Sequence, residues 1–243
     1  MSTACVLVAA GSGSRLAAGR PKALVEVGGR PLLLHAAERA LASGVLSALV
    51  VVAPPDRVRE VVGLVAPLAG RSGGAGASVQ VVPGGGTRQD SVRAGLAVLA
   101  PVVDVVLVHD AARCLAPPAL FAAVDAAVRS GAPAVVPGVP VADTIRSLAD
   151  AGGRGAVVDR ELLRAVQTPQ GFARRALEAA HAAVVSGDAA GASPAALAAT
   201  DDATLVELAG AVVQVVPGAE EAFKVTRPID LALAGALLAA GAA

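Results

Sequence analysis

Apolar runs recur along the chain at 4–10, 47–53, 78–82, 104–108, 133–137 and 211–216. Each is short and bounded by glycine, proline or polar turn residues, so each is predicted as a strand. Between most of them, at 31–43, 57–68, 90–99 and 117–130, and again at 173–186, apolar residues repeat at helical spacing. This alternation predicts an α/β fold, a Rossmann-like, mostly parallel sheet flanked by helices. One stretch breaks the alternation. In 137–163 the β-like pieces "ADTIRSL" and "GAVVDR" are joined by the turn-forming "ADAGGR", which predicts a β-hairpin arm at about 138–161 that projects from the rest. "AGRSGGAGAS" at 69–78 reads as a surface turn, and no low-complexity linker separates two domains, so residues 1–243 are expected to form one domain carrying that arm.

Composition narrows the picture. The chain is 55% apolar but only 1% aromatic, so its core must be built from Val, Leu and Ala, and stacked aromatics for reading bases are lacking. Twenty basic and twenty acidic residues cancel, which leaves no global field to draw the protein to nucleic acid or an anionic membrane. Any anion site must be local. Cys5 and Cys114 show neither C-x-x-C spacing nor a histidine in metal-ligand register and read as structural thiols. The N-terminus lacks a basic leader region, and the apolar C-terminal stretch is too short to span a bilayer, which predicts a soluble, cytoplasmic protein.

The candidate chemistry begins directly after the first strand, in "VLVAAGSGSRLAAGRPKALVEVGG" at 6–29. In an open parallel sheet ligands bind beyond the carboxyl ends of strands, and a loop through Ala9, Ala10, Gly11, Ser12 and Gly13 lets backbone N–H groups converge on an anion. A dinucleotide fingerprint would need glycine at Leu16, and no G-x-x-x-x-G-K-[ST] is present, so a dinucleotide oxidoreductase and a P-loop are both disfavoured. Instead, Arg15, Arg20 and Lys22 place three cations within eight residues. That density suits a nucleoside triphosphate better than a monophosphate. Arg20 alone reads as a solvated turn residue, whereas Lys22 and Lys224 are the chain's only lysines, as if a compact point charge were wanted at those two places.

Three further stretches belong at strand exits. "PGGGTRQDSVRAGL" carries Gly84, Gly85 and Gly86 into a helix start where Asp90 or Ser91 can cap the helix or contact a base. "VLVHDAARCL" ends a strand with His109, Asp110 and Arg113. Asp110 is placed to hold Mg²⁺ beside a triphosphate, the alternative being a loop-ordering ion pair with Arg113. "EEAFKVTRPIDLALAGALL" sets Lys224 and Arg227 just before Pro228, a natural first-turn residue of the last helix. With no Ser-His-Asp order and no H-E-x-x-H, positioning and charge neutralisation are expected to carry the reaction, as in phosphoryl-type transfer.

Seven blocks in order, "AAGSGSRLAAGRPKALVEVGGRPLLLHA", "GGGTRQDSV", "VHDAARCL", "ADTI", "VDRELLRAVQTPQGF", "TDDATL" and "FKVTRPIDLALA", resemble the 2-C-methyl-D-erythritol 4-phosphate cytidylyltransferases along almost the whole chain. The resemblance implies transfer of CMP from CTP to methylerythritol phosphate in the non-mevalonate isoprenoid route, releasing pyrophosphate, with Mg²⁺. It implies that Arg15, Lys22 and Lys224 neutralise the triphosphate and the transition state. Ala9 to Gly13, Gly84 to Gly86, Ser91 and Asp110 would bind the nucleotide, Asp110 also holding the metal, and Thr144, Arg160 and Arg113 would contact the acceptor. It also implies a homodimer in which the arm reaches the neighbouring subunit. Two positions depart from the family pattern, Cys114 where a proline is usual and Ala222 where an asparagine is usual. A ribitol 5-phosphate cytidylyltransferase is the alternative within the fold, and a non-catalytic nucleotide sensor the alternative outside catalysis.

Overall fold

The computed structural model describes residues 2–11, 19–69, 76–148, 153, 155–186 and 201–241. Its main sheet has eight strands, β1 (Ser2–Val8), β4 (Leu46–Ala53), β5 (Ser78–Pro83), β6 (Val103–Asp110), β7 (Ala134–Pro140), β10 (Arg164–Val166), β11 (Gln170–Ala173) and β12 (Val213–Pro217). Two short pairs lie apart from it, β2 (Glu26–Val27) with β3 (Arg30–Pro31) and β8 (Ile145–Arg146) with β9 (Val157–Val158). The helices are α1 (Leu32–Ala42), α2 (Val58–Val65), α3 (Arg88–Leu96), α4 (Pro118–Arg129), α5 (Arg174–Ser186), α6 (Asp202–Leu208) and α7 (Pro228–Ala239).

Strand order is β10-β7-β11-β6-β1-β4-β5, with β12 on the other edge of β7. Six of the strands make the parallel pairs, because β1 pairs in parallel with β4 and β6, β4 with β5, and β7 with β12. β11 runs antiparallel between β6 and β7, and β10 antiparallel beside β7. Neither was expected: "RAV" and "QGFA" are too short for a period to register.

The strands that read as continuous apolar runs do so because both sheet faces are covered. Cys5, Leu7, Leu49, Val51 and Leu107 face one core with residues of α1, α2, α4 and α7. Ala4, Val6, Val50, Val52 and Val106 face the other with residues of α3, α5 and α6. Each fully buried valine or leucine contributes roughly 1.5–3 kcal/mol of transfer free energy. Cys5 and Cys114 are both free and buried, as a structural role requires.

Register sets the site. Val8 is level with Val52 on one side and Asp110 on the other, so β1, β4 and β6 end together. Each exit is then tied to its neighbour: Ala9 N–H donates to Val52 O at 2.9 Å, Gly84 N–H to Ala53 O at 2.8 Å and Ala111 N–H to Val8 O at 3.0 Å. The arm region forms the expected antiparallel pair, Ile145 opposite Val158 and Arg146 opposite Val157. Most of its connecting turn lies outside the described residues.

Candidate active site

The three laced loops floor a cavity of about 470 Å³ at the carboxyl edge of the sheet. Its wall includes Ala9, Ala10, Gly11, Lys22, Gly85, Gly86, Ser91, Asp110 and Lys224, bringing together segments read separately in the sequence. Ser12, Gly13 and Arg15 lie outside the described residues.

The glycine turn is built for contact. An added Cβ at Gly84 would meet the Ala10 Cβ at 2.4 Å and the Ser91 Oγ at 2.9 Å, and one at Gly85 would meet the Asp90 Cβ at 2.2 Å. Gly86 has room, its nearest neighbour being the Asp90 Oδ2 at 3.8 Å. The helix that follows starts at Arg88, two residues earlier than expected, because Thr87 is the cap. Asp90 N–H donates to Thr87 Oγ1 at 3.0 Å and Thr87 N–H to Asp90 Oδ2 at 2.9 Å, a reciprocal capping box. Ser91 is buried, donates its hydroxyl to Thr87 O at 3.0 Å and accepts from Gly85 N–H at 3.2 Å. One serine therefore fixes both the turn and the cavity wall.

Asp110 sits at the centre of the charges. Lys224 Nζ donates to its Oδ2 at 2.6 Å and Arg88 Nε to its Oδ1 at 3.4 Å. Burial works to raise its pKa and favour the neutral form, yet Arg88 and Lys224 outweigh burial and hold the carboxyl well below the usual carboxylate range. Asp110 thus pairs with Arg88 and Lys224 and not with Arg113, the partner that the alternative reading gave it. Arg113 instead donates to backbone, Nη1 to Ala222 O at 2.8 Å and Nη2 to Val166 O at 3.1 Å. With Val225 N–H donating to Ala112 O at 2.9 Å, these bonds seat the segment that carries Lys224. Ala222, one of the two departures from the family pattern, is completely buried.

Behind Asp110 stands His109, fully buried. Asp110 N–H donates to Thr168 Oγ1 at 3.1 Å, Thr168 Oγ1 lies 2.9 Å from His109 Nδ1, and His109 Nε2–H donates to Arg113 O at 3.3 Å. Burial pushes the His109 pKa down to about 4, so the ring is neutral, and with its proton on Nε2 facing a carbonyl, Nδ1 accepts from the Thr168 hydroxyl.

Thr144 and Arg160 do not line this cavity. Both are exposed on the arm region, where the Arg160 guanidinium donates to Ala142 O. Sequence reasoning missed Arg88, Thr168, His181 and Asp202. Only Arg88 left a signal, since a cation in the first turn faces the positive end of its own helix and needs a reason to be there.

Among the described residues no group of three His, Cys, Asp or Glu side chains is placed to hold a metal ion, and no helix is long and apolar enough to cross a membrane. A Mg²⁺ bound mainly by substrate phosphates asks for only one or two carboxylates. The ionised Asp110, on the cavity wall, fits that smaller requirement.

The family model described as IspD, 2-C-methyl-D-erythritol 4-phosphate cytidylyltransferase, matches residues 3–240. A protein of that name from Streptomyces coelicolor is 51% identical over 243 residues, covering 98% of this chain and 85% of its own. A bifunctional IspD/IspF enzyme from Clavibacter michiganensis is also 51% identical, and the match covers 96% of this chain and 54% of that one. Among solved structures, 4-diphosphocytidyl-2C-methyl-D-erythritol synthase from Anaerococcus prevotii superposes with a TM-score of 0.81 at 25% identity, covering 98% of both chains. The Thermus thermophilus cytidylyltransferase superposes with a TM-score of 0.70 at 38% identity and the same coverage. With its cavity where the strand exits converge and a match along nearly its whole length, the chain belongs to the 2-C-methyl-D-erythritol 4-phosphate cytidylyltransferase family.

Proposed function

We infer that the protein transfers the CMP moiety of CTP to 2-C-methyl-D-erythritol 4-phosphate, forming 4-diphosphocytidyl-2-C-methyl-D-erythritol and pyrophosphate. The observation that carries this reading is the cavity at the ends of β1, β4 and β6, which Lys22, Lys224 and Asp110 line together with a closely packed glycine turn. A phosphate oxygen of the acceptor attacks the α-phosphorus of CTP in line, and the bond to the bridging oxygen breaks as pyrophosphate leaves. An anion approaching an anion needs its charge neutralised and its direction fixed. Lys22 and Lys224, both on the cavity wall, supply cations, and Arg15 is assigned the same role. Gly84 to Gly86 and Ser91 orient the cytosine, and Asp110 faces the ribose. Mg²⁺, when bound, neutralises triphosphate charge, and Asp110 would hold it.

The acceptor contacts assigned to Thr144 and Arg160 act across a subunit boundary in this reading, because within one chain both stand away from the cavity. The arm region favours such a dimer: Leu148 is 74% and Leu162 82% exposed, with Val157 and Val166 exposed nearby, an apolar surface that a second copy would cover. Arg113 acts on the acceptor only through the backbone it holds. Two free buried thiols suit a reducing compartment, in keeping with a cytoplasmic enzyme.

The test is pyrophosphate release by the purified protein with Mg²⁺ and CTP, comparing methylerythritol phosphate with ribitol 5-phosphate. Release with the first alone is expected. Release only with the second would reassign the acceptor, and release with neither while CTP still raised the melting temperature would leave a nucleotide sensor. Light scattering tests the dimer, and a monomer at assay concentration would remove the shared site.

A further inference from the structure

Arg88 opens α3 with its charge against the positive end of that helix. It is compensated by two carboxylates from distant parts of the chain. Nη1 donates to Asp202 Oδ2 at 2.5 Å and Nε to Asp110 Oδ1 at 3.4 Å. Asp202, the first residue of α6, has no exposed surface and also accepts from His181 Nε2 of α5 at 2.9 Å. A carboxylate buried that deeply must be paired, so the guanidinium is clamped from behind. Lys224 differs. Its side chain is 42% exposed and its Nζ donates to Asp110 Oδ2 from a flexible stem suited to moving toward a phosphate. The two oxygens of Asp110 are therefore divided between a fixed cation and a movable one.

We propose that Arg88 is a positioning residue: anchored by Asp202, it holds the Asp110 carboxylate in place so that Lys224 can leave it for the substrate phosphates without Asp110 turning after it. The planar fork suits this task, since one guanidinium spans two carboxylates where an ammonium reaches only one. The inference rests on the cytidylyl-transfer reading. Binding of CTP depends chiefly on the glycine turn and Ser91, so loss of Arg88 is felt in turnover more than in affinity.

A structural role and a positioning role part company in a double variant. Arg88→Gln alone leaves Asp202 buried and unpaired and is expected to lower the melting temperature. Arg88→Gln with Asp202→Asn removes that unpaired charge, keeps an acceptor for His181, and still leaves Asp110 unheld. The double variant is expected to melt close to wild type, with kcat down about a hundredfold, the scale of a small misplacement at the reacting centre, and the KM for CTP within about threefold. Recovery of kcat together with the melting temperature would show Arg88 to be structural only and overturn the proposal. Should the glutamine variants fail to fold, Arg88→Lys reads the same question. It keeps a charge beside Asp202 and gives up the span, so a folded lysine variant with wild-type kcat overturns the proposal and a similar loss of kcat supports it. Failure of wild type itself to release pyrophosphate would fell the functional reading, and this inference with it, whereas active wild type with an equally active double variant would fell only this inference.

Discussion

Gly84, Gly85 and Gly86 look alike in the sequence and differ sharply in their surroundings, which makes Gly84→Ala a demanding test of the site. The backbone at Gly84 does not occupy the left-handed region, so the cost of alanine there is steric. Its Cβ would stand 2.4 Å from the Ala10 Cβ, 2.9 Å from the Ser91 Oγ and 3.3 Å from Ala53 O. The first two neighbours line the cavity. The turn cannot simply back away, because Gly84 N–H is held by Ala53 O at 2.8 Å. Overpacking of this kind costs about 1–3 kcal/mol, or about 2–4 °C of melting temperature for each kcal/mol in a domain of this size. Because the displaced groups are the cavity wall, the Kd for CTP by calorimetry should rise at least about tenfold, or about 1.4 kcal/mol. Gly86→Ala is the control: with 3.8 Å to its nearest neighbour, its stability change should stay within about 0.5 kcal/mol. If Gly84→Ala matched Gly86→Ala in both melting temperature and CTP affinity, the close packing of the three loops would not be what shapes the nucleotide site.

Three other outcomes follow from the same geometry. Lys22→Ala should lower kcat by about 10²–10³, the scale for removing one transition-state donor, with little change in the KM for CTP. An intact kcat with a raised KM would make Lys22 a ground-state binder. Burial pushes the Cys5 thiol far up and the Cys114 thiol up to about 11, so both should resist a thiol reagent at pH 8 until the chain unfolds, and prompt reaction of the native protein would contradict that burial. His109 should make stability pH-dependent. Burial lowers its folded pKa to about 4 from an unfolded value near 6.5, so its contribution is fully present above about pH 6.5 and is lost as pH falls toward 4, a difference of about 3 kcal/mol in all. Denaturant titrations should show that slope in wild type and a shallower one in His109→Gln, and equal slopes would refute the buried neutral ring.

What could be read from the sequence was what local pattern encodes. β1, β4 and β6 were legible because burial on both faces forces uninterrupted apolar runs, and the loops at their exits were legible because glycines and cations cluster there. β11 was not. Its four residues "QGFA" slot between β6 and β7, and Gly171 is required there by contact, an added Cβ lying 2.5 Å from the Val124 Cγ1 of α4. No local pattern announces a tolerance set by a helix 47 positions away in the chain. The same holds for the charges. Arg88 meets Asp110 across 22 residues and Asp202 across 114, and read singly Arg88 and Asp202 are ordinary surface charges. Their meaning lies in the sheet register that brings β1, β4 and β6 to a common edge, and in α6 packing where it can face the start of α3. The misplaced charge at the helix start is the one trace that distant pairing leaves in the local sequence. A cation against its own helix dipole costs about 0.3–1 kcal/mol, which a carboxylate from far along the chain can offset, so such a residue beside a glycine turn directs attention to where that partner would come from.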